Sequence, residues 1–434
     1  MGEFEKVTEQ INAGKNRLRF MDLFAGGGGL SEGFIRGGFQ PVVHVEMDPS
    51  ACYTLKTRMA RHWLVENKRE DVYYDYLNRK ISRDDFYKKV PENILSSVIN
   101  KEIGENTIKE IFKTIDKIID NDNIDLIIGG PPCQAYSLIG RSSDSKKMAN
   151  DARNYLYKYY TMFLEKYKPA YFVFENVLGL LSAKDGENNL YFDMMKKLFK
   201  KTGYEVEHKI LCASDYGVLQ KRKRIILVGK RGGATGFYPE PDMLNPGVLV
   251  NEVFSDLPVL SAGEGSDEPC KVRSYTRQWL YKSKIKNDDY PVTLHQARPH
   301  TRTDLEIYRR VVKSWNNGHK RLVYHTLPKT LKTRKNLTAF MDRYKIVEGD
   351  LPSCHTILAH IAKDGHYYIH PDITQNRSIT PREAARLQSF PDDYFFEAEK
   401  VNASRLAVFR QIGNAVPVLM AEAIAQKLME TCNG

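Results

Sequence analysis

The chain has 434 residues, is 42% hydrophobic and 27% charged, and carries a formal net charge of +11. This is the composition of an ordinary globular protein with a sizeable core, and the length favours two domains or one large domain with an insertion. No apolar run is long enough to cross a bilayer, and the N-terminus "MGEFEKVTEQINAGKNR" lacks the charged-then-apolar order of a signal peptide, so a cytoplasmic protein with no membrane partner is expected. The six cysteines are scattered, without a C-x-x-C pair or a Cys/His cluster, which argues against a disulfide framework and a zinc site.

Taken in chain order, the first half alternates strands with helices. "LRFMDLFAG" precedes a helical stretch, "PVVHVEMD" precedes "PSACYTLKTRMARHWLVENK", and "IDLIIGG", "AYFVFENV" and "KRIILVG" follow. Short, continuously apolar strands between amphipathic helices predict a doubly wound α/β domain over 1–237, its parallel sheet covered on both faces. Residues 66–124 exceed a normal crossover, and "DDFYKKV" and "IKEIFKTIDKII" predict inserted helices at an edge. After "LVGKRGGATGFYPEP" the rhythm stops, and 238–376 predicts a second, smaller domain, turn-rich and basic with interleaved Trp and Tyr. Regular structure resumes at 377–434. Thr380, Pro381 and Glu383 form a capping box with a proline start. The amphipathic "NAVPVLMAEAIAQKLME" is expected to return to the first domain.

The positive charge is concentrated. Between Lys271 and Lys345 there are 19 Lys and Arg against five acids, whereas the rest of the chain is slightly acidic. Clustered cations of this kind suit a polyanion such as nucleic acid.

Two stretches point to chemistry. In "DLFAGGGGLSEGF" a strand runs through a glycine cluster into a helix, so backbone N–H groups can approach a nucleotide-like ligand, and Glu46 lies about 20 residues on, where a carboxylate can accept from ribose hydroxyls. An NAD-dependent enzyme fits these two features as well. In "DLIIGGPPCQAYS", Gly129 and Gly130 let a buried strand turn at the sheet's carboxyl edge, and Pro131 and Pro132 fix the direction of Cys133, a nucleophile candidate. Glu175, ending the strand of "YFVFENV" beside Asn176, is suited to donate a proton. In "QKRKR", strand alternation predicts that Arg222 and Arg224 share a face, where two guanidiniums suit a phosphate and a carbonyl oxygen.

The ordered series "DLFAGGGG", "GGPPCQAYS", "FENV", "QKRKR", "RSITPREAARLQSFP" and "QIGNAVP" resembles the motif set of the cytosine-5 DNA methyltransferases of bacterial restriction-modification type. The resemblance implies an S-adenosylmethionine-dependent, Rossmann-like methyltransferase domain with a basic target-recognition domain. It implies that Cys133 attacks carbon 6 of a cytosine flipped out of double-stranded DNA, that Glu175 bonds ring nitrogen 3 and that Arg224 holds the 2-oxo group. Phe24 and Met47 are implied at the cofactor adenine, Gly26 and Gly28 near its methionine part, Glu46 at its ribose, and Asn414 and Val416 in the pocket wall. Pro131 belongs with these cofactor residues, and Glu102 is the candidate acid for the adenine amino group. Gln134 and Ser137 follow the nucleophile in a loop expected to close on DNA, and Thr356 resembles a threonine near the flipped base. Arg298, Arg302, Arg334 and Lys335 are DNA-contact candidates, with phosphate or solvent as open as base edges. For Arg377, Arg382 and Arg386 a structural role is expected over phosphate contact.

A tRNA methyltransferase of this fold would not need so large a basic segment, and a silent DNA-binding module would not need Cys133, Glu175 and Arg224 together. Amino-group methyltransferases are expected to carry D-P-P-Y or S-P-P-Y, which is absent, and the NAD reading lacks a hydride-transfer site. A monomer is expected, with a companion restriction endonuclease as a further partner.

Overall fold

The structure, a computed structural model, describes residues 17–132, 155–272, 278–332, 341–400 and 405–433. In chain order its strands are β1 (Arg19–Leu23), β2 (Gln40–Glu46), β3 (Val98–Asn100), β4 (Leu126–Gly129), β5 (Tyr171–Asn176), β6 (Tyr204–Cys212), β7 (Gln220–Lys221), β8 (Lys223–Arg231), β9 (Gly265–Ser266), β10 (His295–Gln296) and β11 (Cys354–His355). The α-helices are α1 (Gly29–Arg36), α2 (Pro49–Glu66), α3 (Glu70–Leu77), α4 (Arg83–Tyr87), α5 (Glu92–Ser96), α6 (Ile108–Ile119), α7 (Leu156–Tyr167), α8 (Tyr191–Lys201), α9 (Gln278–Lys282), α10 (Arg302–Asn316), α11 (Pro381–Leu387), α12 (Arg405–Asn414) and α13 (Val418–Asn433).

Seven strands form one sheet in the order β3-β2-β1-β4-β5-β8-β6. The first five are parallel, but β8 runs antiparallel to both β5 and β6, so the expected parallel sheet carries one reversed strand. The connection from β6 to β8 is too short for a helical crossover, which leaves the antiparallel pairing. One face is covered by the apolar stripes of α6, α7 and α8, with Ile111, Ile115, Tyr160, Phe163 and Phe199 fully buried. The other face carries α1 and α13.

The C-terminal helix does return to the first elements, and glycine permits its close approach. β-Carbons placed on Gly29, Gly33 and Gly37 would lie 2.2 Å from the Val416 carbonyl, 2.3 Å from Ala421 Cβ and 2.5 Å from Ala425 Cβ. The insertion is smaller than the sequence predicts. Only α3, α4 and α5 are extra, because β3 pairs with β2 as an edge strand and α6 is an ordinary sheet-covering helix. The extra helices pack beneath the 390s loop, where the Tyr73 hydroxyl donates to the Asp393 carbonyl (2.6 Å) and the Tyr76 hydroxyl bonds Glu397.

Within the basic segment, α10 starts at a Thr301–Asp304 capping box and buries Ile307, Tyr308, Val311, Val312 and Trp315 against Tyr324, Tyr344 and Ile369. The predicted Thr380–Glu383 box at α11 is present, and Glu383 also takes both Arg377 terminal nitrogens (2.7 and 2.8 Å). Arg377, Arg382 and Arg386 are completely buried, with the guanidinium of Arg386 shared by Asp256 and Asp392. All three arginines therefore organise the chain, as expected, and do not face solvent. Among the described residues, no helix is long and apolar enough to cross a membrane and no residue group is arranged to hold a metal.

Candidate active site

The carboxyl ends of β1, β2, β4 and β5 converge on one edge, where a doubly wound sheet leaves room for a ligand. After β1 the chain passes through Phe24, Gly26 and Gly28, all at positive φ (59°, 54° and 79°), before α1 begins without a side-chain cap. Two of these demand glycine-like freedom, and Phe24 adopts the same geometry without being glycine. A β-carbon on Gly26 would meet nothing within 4 Å, so the backbone here borders open space.

Glu46, at the end of β2, reaches into this turn. Its Oε2 accepts from Gly26 N–H and its Oε1 from Met47 and Asp48 N–H, each at 2.8 Å. Burial raises its pKa against the pull of those three donors. Three bonds leave lone-pair capacity for a ligand hydroxyl. Asp22, on β1 below the turn, is 1% exposed, and its Oδ2 has no hydrogen-bond partner among the described residues. Burial, and secondarily the Glu46 charge, push its carboxyl well above the ordinary range. Met47 is 55% exposed beside Glu46 and is free to cover a ligand. The open glycine turn, the anchored carboxylate and the orphaned Asp22 oxygen fit a nucleoside-containing cofactor with polar and cationic groups.

On β5, Glu175 Oε1 meets Arg224 Nε at 2.6 Å, both side chains being mostly buried. The pairing follows from sheet order, since β8 lies antiparallel beside β5. Gly130 is required by proximity, because its β-carbon would fall 2.6 Å from Glu175 Oε2. Gly129 is excluded from bearing a side chain by the Leu23 carbonyl, at 2.4 Å. Neither glycine has positive φ, so close approach, not the sharp turn the sequence suggests, explains both. Asn176 Nδ2 donates to the Pro131 carbonyl (3.2 Å), while Asn176 Oδ1 accepts from Val177 N–H (2.9 Å), which fixes the chain immediately before Cys133.

Arg222 is a correction. It does not share a face with Arg224, because regular pairing is interrupted between β7 and β8, and its N–H bonds back to the Gln220 carbonyl. Its buried guanidinium donates to the carbonyls of Ile357 (2.7 Å), Gly413 (3.1 Å) and Asn414 (3.3 Å). Those bonds join the segment returning from the basic region to the end of α12. Arg298 is likewise committed. It donates to the carbonyls of Ile361, Ala362 and Lys363, and burial pushes its pKa down, so it is not a free DNA contact.

Thr356 follows β11, which pairs in parallel with β7, and its hydroxyl donates to the Lys221 carbonyl (2.6 Å), three residues before Arg224. Arg302 is exposed at the start of α10, and Glu102 is exposed two residues past β3, on the same edge as Glu46. Asn414 is exposed at the end of α12, and the Val416 carbonyl packs over Gly29. Cys133, Gln134, Ser137, Arg334 and Lys335 lie outside the described residues. The hydrogen bond from Asn176 to Pro131 and the isolated Asp22 carried no sequence signal beyond their neighbours in the motifs.

The chain matches the family model described as "C-5 cytosine-specific DNA methylase" over residues 18–86 and 80–430. It is 39% identical to a Type II methyltransferase of Bacillus paralicheniformis, covering 95% of this chain and 99% of that protein. A Type II methyltransferase of Haemophilus parahaemolyticus is 29% identical, over 95% of this chain and 87% of its own length. Among solved structures, a prophage-encoded E. coli protein described as a DNA modification methyltransferase superposes with a TM-score of 0.61 at 23% identity, covering 96% of this chain and 100% of that one, which supports the fold.

Proposed function

Because the chain belongs to the C-5 cytosine-specific DNA methylase family, we propose that the edge formed by Glu46, Pro131, Glu175 and Arg224 is where it methylates carbon 5 of cytosine in DNA. The protein is a DNA (cytosine-5)-methyltransferase of restriction-modification type, and its methyl transfer depends on S-adenosylmethionine. The observation that carries the assignment of the site is the Glu175–Arg224 pair, 2.6 Å apart beside the Pro131 turn. Nitrogen 3 and the 2-oxo group are neighbours on a pyrimidine edge, and an acid next to a guanidinium can engage both at once.

The Cys133 thiolate adds to carbon 6 of the extruded base. Glu175 donates a proton or hydrogen bond at nitrogen 3, and Arg224 bonds the 2-oxo oxygen, so the electrons released by the addition collect at carbon 5. Bound S-adenosylmethionine supplies the electrophilic methyl group that carbon 5 receives. Loss of the carbon 5 proton to water, with the nitrogen 3 proton returning to Glu175, then expels the Cys133 thiolate and restores the ring. Extrusion is necessary because carbon 6 is covered in stacked duplex.

Glu46 accepts from the cofactor ribose, and Phe24 and Met47 cover its adenine. Gly26 and Gly28 adjoin its methionine part. Pro131, Asn414 and Val416 complete the wall, and Glu102 reads the adenine amino group. Thr356 stands near the extruded base, and Gln134, Ser137, Arg302, Arg334 and Lys335 contact DNA. The catalytic domain spans 1–237, the recognition domain 238–376, and 377–434 returns to the first. The protein acts as a monomer in the cytoplasm, protecting sites that a companion endonuclease cuts.

The test is transfer of labelled methyl from S-adenosylmethionine to genomic DNA of a methylase-free host, with tRNA in parallel. Label in DNA that is abolished by Glu175→Gln supports the site. Label in tRNA alone, or full activity in the variant, contradicts it.

A further inference from the structure

The Gly26–Gly28 turn is held from three directions. Gly26 N–H donates to Glu46 (2.8 Å), Gly28 N–H donates to the Ala25 carbonyl (3.0 Å), and the Gly27 carbonyl accepts from the Tyr394 hydroxyl (2.8 Å). The first two bonds belong to the local βα turn. The third comes from 367 positions away.

Tyr394 is rigidly placed. It is 1% exposed, its ring lies 4.8 Å from Phe390 and 5.0 Å from Phe396 between centroids, and the Arg58 guanidinium sits 4.8 Å over its face. Arg58 in turn grips Glu32 of α1 (2.6 Å) and Asp393 (3.0 Å). The hydroxyl also fills the space over Gly28, where a β-carbon would lie 2.4 Å from it. At its backbone, the Tyr394 carbonyl accepts from Arg382 Nη2 (3.1 Å), and Arg382 Nε donates to the Thr293 carbonyl (2.9 Å) in the basic segment.

We infer that Tyr394 is a positioning residue of the cofactor site, its hydroxyl locking the Gly26–Gly28 turn and tying that turn, through Arg382, to the recognition segment. This rests on the cofactor reading above. The Gly27 carbonyl is buried, and removing its donor leaves an acceptor that only a shifted turn can satisfy. Such a shift moves the backbone that borders the ligand.

Tyr73 provides a matched control. It is equally buried, and its hydroxyl donates to the carbonyl of the neighbouring Asp393 (2.6 Å) without touching the glycine turn. Tyr394→Phe and Tyr73→Phe each delete one buried hydroxyl. Calorimetric titration with S-adenosylmethionine and with S-adenosylhomocysteine is expected to show about tenfold weaker binding for Tyr394→Phe. Tyr73→Phe is expected to bind within about twofold of the parent while losing a similar amount of melting temperature. Amide exchange in the Phe24–Leu30 peptide should quicken in Tyr394→Phe alone, a readout that needs no ligand. Parent-like affinity and exchange in Tyr394→Phe, or equal weakening by Tyr73→Phe, overturns the inference. Failure of the parent itself to bind either ligand overturns the cofactor reading and the inference with it.

Discussion

Gly129 and Gly130 are neighbours in one turn, yet alanine is expected to harm them in different ways. A β-carbon at Gly129 lies 2.4 Å from the Leu23 carbonyl oxygen and 3.2 Å from its carbon. That carbonyl belongs to β1, paired in register with Gly129, so relief requires one strand to slide against another. Overpacking against a backbone that cannot yield is expected to cost about 3 kcal/mol. At Gly130 the obstacle is Glu175 Oε2, at 2.6 Å, the far end of a side chain. Ordinary contact begins near 3.4 Å, so the carboxylate must retreat by roughly 0.8 Å. The end of a side chain can shift where a backbone cannot, so stability should fall by less than about 1 kcal/mol. Any such shift disturbs the 2.6 Å pairing of Glu175 with Arg224, and misplacement of a reacting group by about 1 Å can cost on the order of 100-fold in rate. Thermal melts together with labelled methyl transfer to DNA separate the two effects. Gly129→Ala should melt early, whereas Gly130→Ala should melt like the parent and transfer methyl groups about 100-fold more slowly. A folded Gly130→Ala protein with parental kcat would refute the placement of Glu175 at the reacting base.

The two arginines of "QKRKR" should part company in the same assays. Arg222→Met strands three carbonyls, two of them in buried bonds, and is expected to lower stability by about 3 kcal/mol, while Arg224→Met should melt almost normally and lose on the order of 10²- to 10³-fold in methyl transfer. Similar melting of the two variants would contradict the roles drawn from their partners. Arg298→Ala is expected to destabilise without changing the salt dependence of DNA binding, whereas Arg302→Ala should reduce the slope of log affinity against log salt by about one. Filter-binding titrations across a salt series check this, and an unchanged slope for Arg302→Ala would remove it from the interface. Burial lowers the pKa of His44 to about 3 and those of His300 and His370 to about 4. Unfolded imidazoles take protons near 6.5, so the folded state loses stability as pH falls from there toward 4. Melting temperature in His300→Gln should therefore drop less than the parent's between pH 7 and 4.5, and an equal drop would contradict the assignment.

Features that depend on neighbours in sequence were readable before the structure. The Thr380–Glu383 box, the strand end at Glu46, the placement of Glu175 in the last two residues of β5 and the glycine turn after β1 all appear where local spacing puts them. Features set by distant partners were not. Arg222 looked like a second ligand-facing cation because strand alternation was extended across a break that only the β7–β11 pairing reveals. Arg298 looked like a DNA contact because three backbone carbonyls from residues 361–363 are invisible in composition. The reversal of β8 follows from a connection too short for a crossover, a length argument that apolar patterning does not contain. Tyr394 lies three residues past a motif read for its arginines, and nothing in one chain's sequence ties its hydroxyl to Gly27.

The most direct measurement is bisulfite sequencing of genomic DNA from a methylase-free host expressing this protein, beside a Cys133→Ala control. The account predicts converted-resistant cytosines at one position of one short fixed motif, absent in the control. Unmethylated DNA from abundant folded protein, or an identical pattern in Cys133→Ala, would contradict it.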